Sequence, residues 1–519
     1  MSHLSRTSVF SLAAALTSLL AAAPAAQEGV EYKRLSFGGV HEFGSIYEGL
    51  YAPKTGPEVS PMEWTDHFGV FMRQDIVVDR RLELQLGLGG VFQFAKPEYV
   101  YPKFFSSMYK MFFFGPSIAR ATYTFGDPES AEGFRLGGGL FPFKYNPDAA
   151  NLGEYLFRAA PYPTYITTGG LLFVGDNAAY LQGLHAQWKR GGLSLHGLLV
   201  TETFMPPLYD WSLALLASYS VADGLAEVGA GVNFKRLIQV DPDRTVRQRD
   251  ELGNPMWSNL HFTRGGTTYY GDPMYYQQQA DFYQQRATAY YGRGTAADSA
   301  RGTAAATRAA GYQATADSVA AWQDPAHPNH VTESERDYYT PAGTVFMARA
   351  SLDLRKLFGM DPGRAPFKVF TEAALLGWDN QPVFYEERLR RAPIMAGIHL
   401  PTGGLLDQLT LQVEYFDSPW ANSTRSLGEQ NAAVPWYPEG ADPLFSANEY
   451  NDITTKDDIA WSILLRREIL PRVNVSAQFA RDHLRTVGTN WFYGGRLEPN
   501  TILYRNSSWY WMAQIAWGI

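Results

Sequence analysis

Ala226-Glu227-Val228-Gly229-Ala230-Gly231-Val232-Asn233-Phe234-Lys235 alternates apolar and polar residues without a break. Successive side chains of a strand point to opposite faces, so Ala226, Val228, Ala230, Val232 and Phe234 share one face that suits lipid. Glu227, Gly229, Gly231, Asn233 and Lys235 share the other, which suits water. Leu82, Leu84, Leu86 and Leu88 repeat the pattern against Glu83, Gln85, Gly87 and Gly89. Leu409, Leu411, Val413 and Tyr415 repeat it against Thr410, Gln412 and Glu414, and Val473, Val475, Ala477 and Phe479 against Asn474, Ser476 and Gln478. The connections between these strands are alternately very short and long. A soluble sandwich has no reason for that asymmetry, whereas a transmembrane antiparallel up-and-down β-barrel has short turns at one end and long loops at the other. The expected fold class is therefore all-β.

About sixteen strands follow from the same reading. They fall near 33–43, 65–78, 81–94, 110–125, 133–143, 178–190, 192–203, 211–221, 224–236, 343–354, 365–376, 391–400, 407–418, 457–468, 472–486 and 506–519. An even number places both ends of the barrel on the turn side. Asp79-Arg80, Gly191-Gly192 and Ala222-Asp223 are the tightest turns, with longer ones at 126–132, 355–364, 401–406 and 469–471. The opposite rim carries the loops 44–64, 95–109, 144–177, 237–342, 377–390, 419–456 and 487–505.

Residues 1–25 have the character of a secretory signal: Arg6, an apolar run over 9–20, and Ala23-Pro24-Ala25 as a cleavage site. The rest, 26–519, forms the barrel. No other apolar stretch reaches the roughly 18 residues of a membrane helix. Backbone groups in lipid must then be satisfied between strands of a closed sheet. The chain contains no Cys, which excludes disulfides, thiolate metal sites and a lipid-anchored N-terminal Cys. Net charge is -8, becoming -9 once Arg6 leaves with the signal, so nucleic acid is not an expected partner. Aromatic residues at 14% and 48 Gly fit interfacial girdles and close strand packing.

The 237–342 loop is far too long for a simple connection. Its 269–322 portion is of low complexity, rich in Tyr, Gln, Ala and Thr, as in Tyr275-Tyr276-Gln277-Gln278-Gln279 and Thr303-Ala304-Ala305-Ala306. The Ala content and the absence of Pro over 274–321 favour helical pieces. One reading is an external cap that binds a glycan or partner through exposed Tyr. The plainer one, and the expectation, is a solvated and partly disordered insertion.

Several segments together resemble a group of Gram-negative outer-membrane β-barrel proteins of porin type. They are Asp66-His67-Phe68-Gly69-Val70-Phe71, Gly87-Leu88-Gly89-Gly90-Val91-Phe92-Gln93-Phe94, Phe141-Pro142-Phe143-Lys144-Tyr145-Asn146-Pro147, Asn151-Leu152-Gly153-Glu154-Tyr155-Leu156-Phe157-Arg158 and Ala480-Arg481-Asp482-His483. The resemblance implies an outer-membrane barrel and no particular substrate. It also implies that Trp509, Trp511, Ala513, Ile515, Trp517 and Ile519 form the terminal strand read by barrel-assembly machinery, with Ile519 where that family usually ends in Phe or Trp. In general porins the loop after the fifth strand folds into the lumen. By that similarity 144–177 should narrow this channel, presenting Lys144, Asp148, Glu154 and Arg158; the alternative is an outward loop packed on its neighbours.

The polar side of each strand would supply the opposing wall: Arg73, Glu83, Arg135, Glu227, Lys235, Arg349, Asp353, Lys368, Glu372, Glu414, Arg466 and Asp482. Of these, Arg73, Arg135, Arg349, Glu372 and Glu414 are the expected constriction residues beside the loop. Rings of charge select ions by sign, and opposite signs on two sides orient dipolar solutes; inward charges can equally pair and fill the lumen. No nucleophile elbow, zinc-protease or phosphate-loop motif occurs, and His399 and Asp482-His483 are isolated. Asp442, Glu449, Asp452, Asp457 and Asp458 lack EF-hand spacing and read as a solvated loop. Neither catalysis, cofactor nor metal is expected. The function expected is a porin-like channel for small hydrophilic solutes, set among outer-membrane lipid and lipopolysaccharide and able to self-associate. The alternative is a surface-binding or adhesion barrel with a plugged lumen.

Overall fold

A computed structural model of the chain describes residues 29–47, 63–93, 112–150, 179–201, 210–240, 260–338, 342–360, 365–378, 388–415, 459–481 and 509–518. The first nine strands are β1 (Val30–Tyr47), β2 (Glu63–Val78), β3 (Leu82–Gln93), β4 (Phe112–Phe125), β5 (Gly133–Phe143), β6 (Ala179–Arg190), β7 (Leu193–Thr201), β8 (Trp211–Val221) and β9 (Ala226–Ile238). Three short strands follow, β10 (Leu260–Arg264), β11 (Thr267–Tyr270) and β12 (Asp337–Tyr338). The remainder are β13 (Gly343–Asp353), β14 (Lys368–Leu375), β15 (Ile394–Leu400), β16 (Gln408–Tyr415), β17 (Ile459–Leu470), β18 (Val473–Arg481) and β19 (Trp509–Gly518). All but β10, β11 and β12 form one closed antiparallel ring of sixteen strands, each paired with its neighbours in sequence along the barrel. The ring closes where β1 meets β19, from Gly38 opposite Gly518 to Tyr47 opposite Trp509. Every expected strand is present, most with ends within a few residues of the expected ones.

Burial is inverted relative to a soluble protein. On β9, Val228 of the outer face is 50% exposed, while Asn233 of the inner face is fully buried. Leu86, Leu136, Leu184, Leu215, Val413 and Ile515 likewise lie exposed on the outside, and Gln412, Ser462, Gln478 and Gln514 lie buried on the inside. An outer apolar band over a polar interior is what lipid on one side and water on the other require. Exposed Tyr123, Phe125, Phe134 and Tyr219 sit at the turn end of this band, with Phe125 4.9 Å from Tyr123 and 5.3 Å from Phe134 between ring centroids. At the loop end, Trp378 meets Phe346 edge-on at 5.5 Å. Amphipathic rings at both rims suit the two membrane interfaces.

Turn chemistry explains the tight end. Asp79 and Arg80 have φ of 50° and 59°, and Ala222 and Asp223 have 48° and 53°. Such pairs of left-handed residues match the twist of the flanking strands.

The long loop after β9 contains a folded unit. β10, β11 and β12 form a small sheet, and α1 (Pro273–Tyr291) and α2 (Ala296–Gln323) form an antiparallel hairpin. Asp272 caps α1 by accepting from the Met274 N–H at 2.9 Å, and Thr295 caps α2 by accepting from the Asp298 N–H at 3.0 Å. Tyr283 stacks on Tyr312 at 5.6 Å between the helices, while Gly302, Ala305, Ala309, Ala316 and Val319 form the buried side of α2. The Arg264 guanidinium lies over Trp322 at 5.1 Å. The helical pieces expected over 274–321 are α1 and α2, ordered around Leu260, Phe262, Tyr270 and Val331 instead of forming part of a partly disordered insertion. Ala305, Ala309 and Ala316 lie on the buried side of α2, while Ala297, Ala300, Ala304 and Ala314 face solvent. Residues 1–25, Glu154, Arg158 and Asp482 lie outside the described residues.

Candidate functional site in the barrel lumen

The chain leaves β5 and turns into the barrel. Asn146 shapes the bend: its side-chain Oδ1 accepts from the Asp148 N–H at 3.1 Å and its carbonyl from the Ala149 N–H at 3.3 Å. Tyr145 packs with Phe141, Leu181, Leu198, Leu216 and Met347 on the near wall. Ala149 packs with Phe370 of β14 and Met395 of β15. Ala150 reaches Leu464, Ala480 and Met512, on β17, β18 and β19. Stepping round the ring from β5 through β4, β3, β2, β1, β19 and β18 reaches β17 at the seventh step, one short of diametrically opposite. Residues 144–150 therefore span the lumen.

Polar contacts fix this strut. The Lys368 ammonium on β14 donates to Asp148 Oδ1 at 2.7 Å. The Arg349 guanidinium on β13 lies over the Tyr145 ring at 5.6 Å and donates to Glu227 on β9. Gly229 is the cross-strand partner of Arg349, and a Cβ there would come within 3.0 Å of Arg349 Cγ. A glycine on the inner face thus makes room for a long cation lying along the wall.

The residues expected at a constriction divide into two sets. Lys144 and Asp148 are on the strut, and Arg349 and Glu372 are direct cross-strand partners beside it. Glu414 faces Met395, which faces Glu372, so both glutamates lie at one level, buried. Arg73 and Arg135 face the lumen nearer the turns, and Arg73 is bound to Asp75 at 2.8 Å. Signs alternate around the wall, with Glu227, Arg349 and Glu372 on successive strands, instead of separating to two sides.

Sequence reading missed one group. Arg120 Nη2 lies 3.0 Å from His185 Nδ1, His185 Nε2 lies 2.9 Å from His196 Nδ1, and His196 Nε2 lies 3.1 Å from Ser194 Oγ. His185 also stacks on Phe141 with ring centroids 5.6 Å apart. The signal was present in the strand period, which puts Arg120, His185, Ser194 and His196 on inner faces. Bringing them together needs the register, since Gln187 and not His185 is directly opposite His196.

Between the strut and the turns at Gly191-Gly192 and Ala222-Asp223 lies a cavity of about 780 Å³. Tyr145 and Pro147 form its ceiling; Lys189, Ser194, His196 and Arg349 line its wall. The described residues hold no cluster of His, Asp or Glu suited to a metal ion.

A closed sixteen-strand ring, an apolar exterior and a segment of the loop after β5 crossing a polar lumen decide the architecture. The fold is that of a porin-type barrel. No family model and no curated protein matches the chain. Among solved structures, it is similar to a triple mutant of the Rhodopseudomonas blastica porin, at 8% identity and a TM-score of 0.38, covering 94% of this chain and 100% of the porin. It is similar also to a loop-deletion mutant of OmpT, an outer membrane protein of Vibrio cholerae, at 10% identity and a TM-score of 0.37, covering 95% and 100%.

Proposed function

We propose that this chain is an outer-membrane channel for passive diffusion of small hydrophilic solutes, with no catalytic role. The observation that carries the proposal is the strut from Lys144 to Ala150, which narrows a polar-lined ring and has a cavity of about 780 Å³ on its turn side. Mixed charge around the strut favours polar solutes of either sign over apolar ones. In this reading, residues 1–25 direct export, the β19 strand is recognised during barrel assembly, and lipid and lipopolysaccharide surround the outer face. Single-channel recording of the refolded protein in planar bilayers tests it: stable ohmic steps support a channel, and silence from folded protein overturns it.

The folded unit over 260–338 favours a second reading, a barrel whose external part binds a partner. A variant lacking 260–338 separates the two. Conductance only in the deletion would make this unit a plug, and conductance in neither would leave surface binding as the function.

A further inference from the structure

We infer that the cavity on the turn side of the strut is a binding site for a small hydroxylated oxyanion, a carboxylate or phosphate ester of sugar size. The inference rests on the channel reading only for the ligand's route in. It begins with a direction of donation. A guanidinium has donors and no acceptor, so His185 Nδ1, 3.0 Å from Arg120 Nη2, must be the accepting nitrogen. Neutral imidazole then carries its proton on Nε2, and His185 donates to His196 Nδ1 at 2.9 Å. The same reasoning gives His196 an Nε2 proton, donated to Ser194 Oγ at 3.1 Å.

The relay ends on a hydroxyl at the cavity wall. Ser194 accepts from His196, so its own proton must be donated elsewhere, and the cavity is the space in front of it. A chain of bonds all pointing one way from a fixed positive charge polarises each member, making the last hydroxyl a strong donor.

Charge in the cavity agrees. Lys144, Lys189 and Arg349 line it against Asp223 and Glu227, and Arg349 is bound to Glu227. Three cations thus line the cavity against two carboxylates. Gln187, Ser218 and Ser220 add groups that suit ligand hydroxyls. A volume of about 780 Å³ holds a six-carbon acid with its water.

Isothermal titration calorimetry of the full chain refolded in detergent tests this without requiring conduction. Gluconate and glucose 6-phosphate are the probes, and sorbitol is the neutral control. Both anions should bind and sorbitol should not. Ser194→Ala and Lys189→Gln should each weaken binding about tenfold, the scale of one hydrogen bond to a charged ligand. Heat-modifiable migration in gels confirms that each variant is a closed barrel. Absence of binding by both anions, equal binding of sorbitol, or affinities unchanged in both folded variants would each overturn the inference. Because conductance is scored separately, a silent channel that binds gluconate would refute the channel and leave the site standing.

Discussion

Lys368 and Asp148 meet at 2.7 Å although 220 residues separate them, one on the barrel wall and the other on the segment that crosses the lumen. Their side chains keep 23% and 13% exposure, so the pair is screened in part by lumen water. Lys368→Met should release one contact of the strut while leaving the ring closed. A double-mutant cycle with Asp148→Asn, read by urea unfolding, should give a coupling of about 1 kcal/mol. Single-channel records of Lys368→Met should show more open-state noise than the parent. A coupling of zero would mean that packing alone holds the strut.

Asp210 and Arg236 form an ion pair of a different kind. Their side chains are 0% and 2% exposed, and the Arg236 Nη1 to Asp210 Oδ2 distance is 2.9 Å. Removing one partner takes the opposite charge away from a buried ion, at a cost of about 3–5 kcal/mol. Asp210→Ala should therefore lower the urea midpoint sharply, and Asp210→Leu with Arg236→Met should recover much of the loss. Equal destabilisation in single and double variants would argue against this account.

In the folded unit over 260–338, the Tyr283–Tyr312 stack joins the two helices. Aromatic pairs add about 0.5–1.5 kcal/mol beyond their buried area. Tyr283→Ala should lower the temperature at which the helical circular-dichroism signal melts, with the β signal unmoved. Simultaneous loss of both signals would show that this unit and the barrel unfold together.

Glu335 accepts from the Thr332 N–H at 2.8 Å, and this bond, with that of the Thr332 hydroxyl, holds its pKa below the usual 4.5. A carboxylate favoured in the folded state stabilises above its unfolded pKa, and that contribution disappears as pH falls through the lowered folded value. Amide exchange at Thr332, corrected for intrinsic rate, should accelerate as pH drops below about 4.5. Glu335→Gln should remove that pH dependence. Persistence of the same profile in Glu335→Gln would assign it to another group.

The barrel was legible from local sequence because lipid and water impose the same two-residue period on every spanning strand. Leu86 and Val228 had to be apolar, and Gln412 and Gln478 polar, wherever in the ring they fell. The lumen was legible only in part. Asp148 and Lys368 were each placed on polar surfaces, but their meeting depends on where a loop lands across a ring. Arg120, His185 and His196 were hidden for a similar reason: their inward faces follow from the strand period, while their contact depends on register between β4, β5, β6 and β7. The helices over 269–322 were legible in the Ala content and the absence of Pro, but their packing was not, because Ala, Gln and Thr are shared by solvated tracts and by helices that meet through small residues. Tyr283 and Tyr312 were the distinguishing pair, and their spacing carries no signal until the hairpin is folded.

A ring of hydrogen-bonded strands resists stretching along each strand but bends easily at the joints between strands. Lateral pressure from a bilayer acts on those joints and tends to flatten the circle into an oval. Residues 144–150 contact the wall beside β5, at β14 and β15, and again at β17, β18 and β19, so the strut works as a spoke. Flattening the ring along that diameter would have to compress the spoke, and widening it would have to pull Ala150 from its seat. The cross-section of the barrel is consequently set by a tie inside it as much as by the number of staves around it.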